Sequence, residues 1–236
     1  MRYKSEVVFE NDQVLIVNKA PGISTVANRH DLRAPYLLRW LNNKYPVVLP
    51  VHRLDHNTSG LVCFAKDKDA QTQLSTAFQN REVVKKYKAI VQGVPSVAEG
   101  KIEARIFKAE NRNEVFISSK GKNAITHYRV EQSFRGFALL DIDIETGRTH
   151  QIRVHLQHIG HPLLVDPMYG GRDSFVLSSI KHRYRGEKDK ERPLLMRTPL
   201  HAYYLELPVF GQVIKMEVPL PKDMKAVLNQ FEKLLG

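Results

Sequence analysis

The sequence predicts an α+β fold whose sheet is largely antiparallel. Runs rich in β-branched and aromatic residues outnumber amphipathic helical runs, and the two kinds do not alternate strictly along the chain. The chain contains no internal repeat and no low-complexity segment. Its 236 residues are enough to bury a proper core. Because no segment has the composition of a linker, we predict a single domain over residues 1–236.

The N-terminal part is predicted to begin as sheet and to continue with two helices. β-rich runs at 6–9 and 14–18 flank a short polar turn, which indicates a hairpin. Apolar residues at helical spacing predict a helix within 35–45. Asp67 is placed to cap the N-terminus of a second helix.

The middle of the chain is predicted to be mostly strand. Residues 86–91 alternate with the period of a strand that turns one face, which carries Tyr87, Ala89 and Val91, toward the interior. Further strands are expected at 101–107, 125–134 and 137–144. A helix should begin near Gln151 and stop at Gly160, because glycine readily takes the left-handed conformation that ends helices.

The C-terminal part combines a charged segment, two strands and a helix. Residues 172–198 include a charged run at 182–192 with little to bury, which predicts a long mobile loop. Strands are expected at 203–207 and 212–218. An amphipathic helix is expected at 222–235.

The charge balance favours a polyanionic partner. The chain has 36 Lys and Arg against 25 Asp and Glu, a formal net charge of +11. Each phosphate that a basic side chain neutralises releases counterions and adds salt-dependent affinity. The alternative is that the excess lysine only keeps the protein in solution.

Cysteine content and hydropathy favour a cytoplasmic protein. The single cysteine, Cys63, lies in an apolar run, which excludes an intramolecular disulfide and a cysteine-based zinc site. The N-terminus lacks the apolar stretch of a signal peptide, and no window approaches the roughly 20 apolar residues of a membrane span. We therefore expect neither secretion nor membrane insertion.

The segment with the most chemical content is His52-Arg53-Leu54-Asp55-His56-Asn57-Thr58-Ser59-Gly60, which precedes an apolar strand at 61–65. Arg53 lies close to Asp55 in sequence, and nearby positive charge favours the carboxylate form. An ionised, partly desolvated carboxylate can act as a nucleophile. The alternative is a turn or N-cap aspartate held by a surface arginine.

This segment resembles the signature of the RluA-type pseudouridine synthases. Other segments along the chain also resemble motifs of that family, and they occur in the family's order. They are the hairpin 14–22, the tyrosine-bearing strand 85–93 and the arginine-bearing block 145–156, with 160–166 and 200–202 extending the likeness. The hairpin departs from the usual Asn-Lys-Pro pattern because Ala20 and Pro21 are exchanged. The resemblance covers most of residues 6–221.

The resemblance implies an enzyme that isomerises specific uridines in ribosomal or transfer RNA to pseudouridine. It also implies a central mixed sheet flanked by helices, with a catalytic cleft across it, and a reaction that needs no cofactor and no metal. Relatives often carry an N-terminal RNA-binding domain of the S4 type. The first catalytic-domain motif begins here at about Val7, so we expect no S4 domain. Target choice would then rest on the rim of the catalytic domain, the basic loop 172–198 and residues 108–122.

The same resemblance implies the catalytic residues. Asp55 corresponds to the catalytic aspartate, whose role is open between attack on the base, attack on the sugar and abstraction of a sugar proton. Arg153 corresponds to the arginine that pairs with this aspartate, and a guanidinium suits two-point contact with a carboxylate. Tyr87 corresponds to a tyrosine that stacks on the base and helps to remove the C5 proton. Stacking is the better supported role, because a phenol with its ordinary pKa of about 10 is a poor base at neutral pH.

The implied chemistry requires a base outside the RNA stack. A uridine in folded RNA must be flipped into the cleft, and the resemblance places at Arg53 the arginine that fills the gap. His52 and His56 can contact the base or phosphates, or hydrogen-bond within their own turn. Lys86 and Arg148 are further candidates for RNA contact, and Arg148 can instead shape its own loop.

Other readings of the same residues are a metal site, a binding protein and a hydrolase. His150, His155, His158 and His161 have the wrong spacing for a metal site, and no nearby acid completes one. A noncatalytic RNA-binding protein of the same fold would not need all of Asp55, Tyr87 and Arg153. A hydrolase using Asp55 and histidines would leave the ordered motifs unexplained. We expect a monomer whose partner is RNA.

Overall fold

The computed structural model describes residues 4–27, 33–110 and 114–236, apart from the side chain of Lys188. The chain divides into two compact units. The first consists of Met1–Tyr87 and His201–Pro219, and the second of Lys88–Leu200 and Leu220–Gly236. The prediction of a single domain over residues 1–236 stays a prediction.

The first unit begins with the predicted hairpin. Strand β1 (Glu6–Glu10) pairs antiparallel with β2 (Val14–Lys19), and the Asn11 side chain accepts the backbone N–H groups of the turn. Strand β2 pairs antiparallel with β4 (Ser59–Ala65), which is buried along its whole length. The two-residue strand β3 (Leu49–Pro50) pairs antiparallel with β4.

Two helices and two further strands complete the first unit. Helix α1 is Leu37–Asn42, shorter than its predicted range, and α2 is Lys68–Gln79. The Asp67 carboxylate accepts the Ala70 N–H at 2.7 Å, which confirms the predicted cap. Strand β10 (Leu200–Val209) pairs parallel with β4 through His201 and Ala202 and antiparallel with β11 (Gln212–Glu217).

The second unit is built on long antiparallel strands. Strand β5 (Val84–Gln92) enters it from the first unit. The ladder runs in the order β9, β8, β6, β7, and every neighbouring pair in it is antiparallel. These strands are Phe137–Ile144 (β9), Lys122–Phe134 (β8), Glu99–Lys108 (β6) and Val115–Ile117 (β7). Helices α3 (Gln151–His158) and α4 (Lys222–Leu235) form where they were predicted.

The sheet is therefore mixed and largely antiparallel, as predicted. The core of the second unit joins aromatic residues of β8 and β9 to α4, which buries Met224, Val227, Leu228 and Phe231. Ile90 was placed on the outer face of β5, and this was wrong. It is fully buried in the same core, because that face of the strand is covered as well.

The charged run 182–192 was predicted to have little to bury, and residues on either side of it within the segment 172–198 are buried in the core. Phe175 and Leu195 are buried and pair through their backbones. The buried Arg197 donates two hydrogen bonds to Asp223, at 2.7 and 2.9 Å, and so ties the segment to the start of α4. The charged run is mostly exposed, and it contains a short 3₁₀ turn at Lys188–Lys190. The apolar residues that anchor the segment lie outside that run.

Candidate active site

The backbone before Asp55 is held by a buried threonine. The half-buried Asp55 lies on the segment between β3 and β4. The Thr25 hydroxyl accepts the Leu54 N–H and donates to the Leu54 carbonyl, both at 3.1 Å. The Asp55 carbonyl accepts the Thr58 N–H at 3.2 Å. Asp55 is therefore presented from a braced turn.

The backbone after Asp55 is held by Lys19, which the sequence analysis placed in a motif without giving it a role. Lys19 has no exposed surface, and its ammonium group donates to the carbonyls of Ala20 at 3.0 Å, Ile23 at 2.8 Å and His56 at 3.2 Å. The Gly22 N–H also donates to the His56 carbonyl, at 2.9 Å. The end of the β1–β2 hairpin is thus fastened to the turn that carries Asp55.

The exchange of Ala20 and Pro21 has a local consequence. The Ala20 N–H donates to the Ser5 hydroxyl at 3.0 Å. A proline at this position has no N–H and could not make this bond. The departure from the family pattern therefore adds a contact between the hairpin and the N-terminal segment.

His52 has structural contacts. Its Nε2 accepts the Cys63 N–H at 3.0 Å, and its ring stacks on Phe78 with centroids 4.5 Å apart. Burial, with the nearby Lys85 charge, lowers the pKa of His52 to about 3, so the ring is neutral. These contacts match the alternative in which His52 holds its own turn, and its contact with RNA stays a prediction.

Arg53 and His56 are the exposed residues of this turn that were predicted to contact RNA. Arg53 makes no hydrogen bond or ion pair with any residue that the structure describes. His56 Nδ1 lies 3.2 Å from the Ser24 hydroxyl. Partial burial and the Lys19 charge lower the pKa of His56. At neutral pH, Arg53 is therefore the charged group of the two.

Tyr87 lies on β5 with its side chain largely buried.

Two lysines lie beside Tyr87 on the same strand and differ in exposure. Lys85 is buried, donates to the Val83 carbonyl at 3.1 Å, and has its ammonium group 5.5 Å from the Phe78 ring centroid. Lys86 points its ammonium group over the Tyr204 ring, 5.7 Å from the centroid. Of these two lysines, Lys86 is the one that retains solvent access for an RNA contact.

In the second unit, Arg153 on α3 is held by a carboxylate that the sequence analysis did not assign. Its Nε and Nη2 each donate to an oxygen of Asp166 at 2.7 Å, and Asp166 is fully buried. The guanidinium carbon also lies 4.8 Å from the Tyr169 ring centroid. The pairing of Arg153 with Asp55 would join residues of the two units and stays a prediction.

The loop before α3 is organised by Gln151. Its side-chain oxygen accepts the Thr146 hydroxyl at 2.8 Å and the Arg148 N–H at 3.0 Å. Its amide nitrogen donates to the Ile125 carbonyl at 2.9 Å and to the Thr126 hydroxyl at 3.0 Å. The exposed Arg148 donates from Nε to the Asn123 carbonyl at 3.3 Å. These bonds fit a role for Arg148 in shaping its loop, and its contact with RNA stays a prediction.

The histidines considered for a metal site are not clustered with other ligands. His155 is buried, with Nδ1 3.0 Å from the Thr126 hydroxyl, and burial lowers its pKa to about 4. His150 Nδ1 lies 2.9 Å from the Tyr169 hydroxyl. Within residues 4–27, 33–110 and 114–236, no group of three or more His, Cys, Asp or Glu is arranged to hold a metal ion.

Comparison with known proteins identifies the family. A family model described as RNA pseudouridylate synthase matches residues 13–158, which include Asp55, Tyr87 and Arg153. The chain belongs to the RNA pseudouridylate synthase family. It is therefore an RNA-directed isomerase, as the motifs predicted.

Relatives extend the match along nearly the whole chain. A protein of Haemophilus ducreyi named ribosomal large subunit pseudouridine synthase D is 37% identical over 96% of this chain and 70% of its own length. A protein of the same name from Pseudomonas aeruginosa is 38% identical over 95% of this chain and 71% of its own. An uncharacterized RNA pseudouridine synthase of Chlorobaculum parvum is 36% identical over 97% and 75%.

Solved structures support the fold. Human RNA pseudouridylate synthase domain containing 4 has a TM-score of 0.73 and 26% identity, over 98% of this chain and 93% of that chain. Human RNA pseudouridylate synthase domain containing 1 has a TM-score of 0.71 and 23% identity, over 97% of this chain and 95% of that chain.

Among the described residues, no helix has the length and apolar composition needed to cross a bilayer.

Proposed function

We propose that this pseudouridine synthase modifies large-subunit ribosomal RNA and uses Asp55 as its catalytic carboxylate. The observation that carries the choice of RNA is the match of about 95% of the chain to relatives that are named for that substrate. The net charge of +11 favours the same polyanionic partner.

The chemistry proposed for Asp55 follows from its surroundings. Conversion of uridine breaks the N1–C1′ glycosidic bond, joins C5 of the same base to C1′, removes the C5 proton and returns a proton to N1. A carboxylate held on a braced, half-buried turn can attack the base, attack the sugar or take a sugar proton, and it is partly shielded from water in each case. The bonds of Thr25 and Lys19 to the backbone on either side of Asp55 hold that residue in position.

Tyr87 and Arg153 are proposed to complete the chemistry. Tyr87 would stack on the detached uracil and keep it near the sugar until the C–C bond forms. Arg153 would contact the Asp55 carboxylate, as the family motif implies. Its bidentate contact with Asp166 fixes the orientation of the guanidinium group.

Arg53 is proposed to occupy the space that a flipped uridine leaves in the RNA. Its exposure, and its lack of a partner among the described residues, support this role because no contact has to be broken first. His56, Lys86 and Arg148 are proposed to contact the RNA backbone around the target. His52 is proposed to hold the turn in position, and its direct contact with the RNA stays a prediction.

The proposal is tested with purified protein, a large-subunit ribosomal RNA transcript and an unmodified transfer RNA pool. We expect the wild type to form pseudouridine at one or a few sites of the ribosomal transcript, detected by carbodiimide treatment and primer extension. Asp55→Asn should lower turnover by at least about a thousand-fold, because an amide is neither a nucleophile nor a base. It should still bind the transcript.

Other outcomes would test the choice of RNA and the catalytic role of Asp55 separately. Turnover on transfer RNA alone would refute the choice of RNA but retain the activity. Full turnover by Asp55→Asn would refute the catalytic assignment. A pseudouridine map of cells lacking the gene, rescued by wild type but not by Asp55→Asn, would establish the site in the natural substrate. We expect a cytoplasmic monomer, which gel filtration with light scattering and cell fractionation would test.

A further inference from the structure

The first unit contains a cavity of about 680 Å³ beside the turn that carries Asp55. One wall is the end of the β1–β2 hairpin, residues 20–23, and the other is α1 with the residues just before it. This volume is within the range of pockets that bury a small organic ligand. Asp55, Tyr87 and Arg153 do not line it.

The lining combines an apolar interior with aromatic rings and cations. Ala20 and Ile23 contribute apolar surface, and Tyr36 and Trp40 contribute the rings. The cations come from Arg33 and Arg39, which are both exposed, and from Lys4. Arg39 makes no ion pair or side-chain hydrogen bond with any part of the chain that the structure describes.

We propose that this pocket binds a base of the RNA strand next to the target uridine. The proposal rests on the proposed function and adds a second nucleotide subsite to it. Aromatic side chains give every base a surface for stacking, and arginines beside them can neutralise the adjoining phosphates. An uncharged peptide or a second copy of this basic chain would leave the charge of Arg39 uncompensated.

The position of the pocket fits a neighbouring nucleotide. Its wall includes Gly22, whose N–H donates to the His56 carbonyl at 2.9 Å. His56 follows Asp55 directly, so the pocket and the catalytic turn share a hydrogen-bonded backbone. When the target uridine is flipped toward Asp55 and Arg53 takes its place, the pocket offers a stacking surface to a neighbouring base that leaves the stack as well.

Trp40 is the residue on which the proposal depends most. Its indole is only half-buried, and the ammonium group of Lys44 lies 4.5 Å from its ring centroid. Lys44 does not line the cavity, so this contact does not fill it. Trp40 is also the single tryptophan among the 236 residues, so emission excited at the long-wavelength edge, where tyrosine does not absorb, reports on this pocket.

The first test follows the emission of Trp40 in Asp55→Asn protein, which cannot complete turnover. We expect single-stranded oligouridylate and uridine monophosphate to quench the emission saturably. Ribose 5-phosphate and inorganic phosphate, which lack a base, should leave it unchanged. RNA binding is followed independently by the anisotropy of a labelled oligouridylate.

The second test uses variants and steady-state kinetics on the ribosomal transcript. Trp40→Ala should raise KM by on the order of ten-fold, and Trp40→Phe should recover most of that loss because it retains a stacking ring. Arg39→Ser should raise KM several-fold and reduce the salt dependence of binding. Lys68→Ser removes an exposed cation that does not line the pocket, and it should change neither.

The outcomes separate the two proposals. Unchanged Trp40 emission with bound oligouridylate, or an unchanged KM in folded Trp40→Ala and Arg39→Ser, overturns the pocket proposal whatever the turnover. Quenching by inorganic phosphate alone overturns it too, because the site would then recognise only charge. Intact quenching without pseudouridine formation by wild type on any RNA overturns the proposed function instead.

Discussion

Lys19 carries a positive charge in a position with no exposed surface, and all the hydrogen bonds described for its ammonium group go to backbone carbonyls. Burial of a charge is costly unless polar groups surround it. Here those groups are the carbonyls of Ala20, Ile23 and His56, and the shared ammonium group holds the three carbonyls close to one another. A buried lysine thus joins the N-terminal hairpin to the turn that presents Asp55.

Replacement of Lys19 by methionine should destabilise the protein and impair turnover together. The three carbonyls lose their donor while the side-chain volume is largely retained, so we expect a loss of about 2–3 kcal/mol in the free energy of unfolding. Urea denaturation measures it, with exposed Lys68→Met as the matched control. Stability equal to that of the control would show that Lys19 does not brace the turn.

His52 makes the stability of the protein depend on pH. Its pKa is about 3 in the folded protein and about 6.5 in the unfolded chain, so between these values the unfolded chain binds the extra proton. Stability should therefore fall as the pH falls below 6.5, by about 2 kcal/mol at pH 5 from this residue. His155, whose pKa is lowered to about 4, acts in the same direction.

The variant His52→Gln should show a weaker pH dependence. Glutamine can still accept the Cys63 N–H but does not titrate. Chemical denaturation at pH 5 and pH 7.5 should give a smaller stability difference in the variant than in wild type, with the remainder due to other groups such as His155. An equal difference in both proteins would mean that His52 is not buried as a neutral ring.

At the scale of single residues, the sequence identified groups but not their partners. Asp55 and Arg53 could be selected because a carboxylate and a cation adjoin within one turn. Asp166 lies 13 residues from Arg153, and no local pattern indicates that the two side chains meet. The contact depends on how the chain after α3 returns to the helix.

At the scale of secondary structure, an element was predicted well where the sequence contained both a capping residue and a regular apolar pattern. Helix α2 has a capping aspartate and an apolar stripe, and it begins where that cap requires. Helix α1 is shorter than predicted and ends at Asn42, where two asparagines follow the apolar spacing. Strand β7 has only three residues and owes its place to pairing with β6, so its own sequence does not indicate it.

The junction of β4 and β10 depends on Gly60. Its φ is +114°, and a Cβ atom would lie 2.2 Å from the Ala202 carbonyl oxygen. Both the conformation and the close approach of the parallel strand require glycine. The adjacent Ser59 hydroxyl lies 2.9 Å from His201 Nδ1 on the same partner strand. The end of the catalytic segment is therefore fixed by β10.

The variant Gly60→Ala should be destabilised by about 3 kcal/mol or more, because backbone strain and a clash with backbone atoms add. Gly211→Ala is the control, with φ of +72° and no atom within 4 Å of its Cβ position. That change should cost only about 1–2 kcal/mol. Thermal denaturation compares the stability of the two variants. Equal losses of stability would show that the close approach of Ala202 to Gly60 is not important.

At the scale of the whole molecule, the charge excess has a local concentration in the exposed part of 172–198. Lys181, Arg183 and Arg185 are exposed there and have no ion pair with any described residue. The anchored ends of the segment leave these side chains in solvent. Residues 111–113, within the other segment expected to influence target choice, lie outside the described residues.

Replacement of Lys181, Arg183 and Arg185 by serine should weaken RNA binding without unfolding the protein. Each lost phosphate contact should reduce the slope of log affinity against log salt concentration by about 0.9, or about 0.7 for single-stranded RNA. Filter binding across a salt series measures this, and pseudouridine formation on saturating RNA should persist. The matched control replaces the exposed Lys222, Lys225 and Lys233 of α4. Equal slopes in both variants would assign the effect to net charge alone.

The sequence by itself determined the antiparallel character of the sheet, most helix positions, the family and the residues capable of the chemistry. These follow from apolar periodicity, capping side chains and motifs, which are properties of contiguous residues. Only the tertiary structure decided which distant groups meet: Lys19 with the His56 carbonyl, Arg153 with Asp166, and Arg197 with Asp223. It also decided that Phe175 and Leu195, on either side of the charged run, are buried. Side-chain partners of this kind depend on where the chain returns in space, and hydrophobic periodicity carries no information about that return.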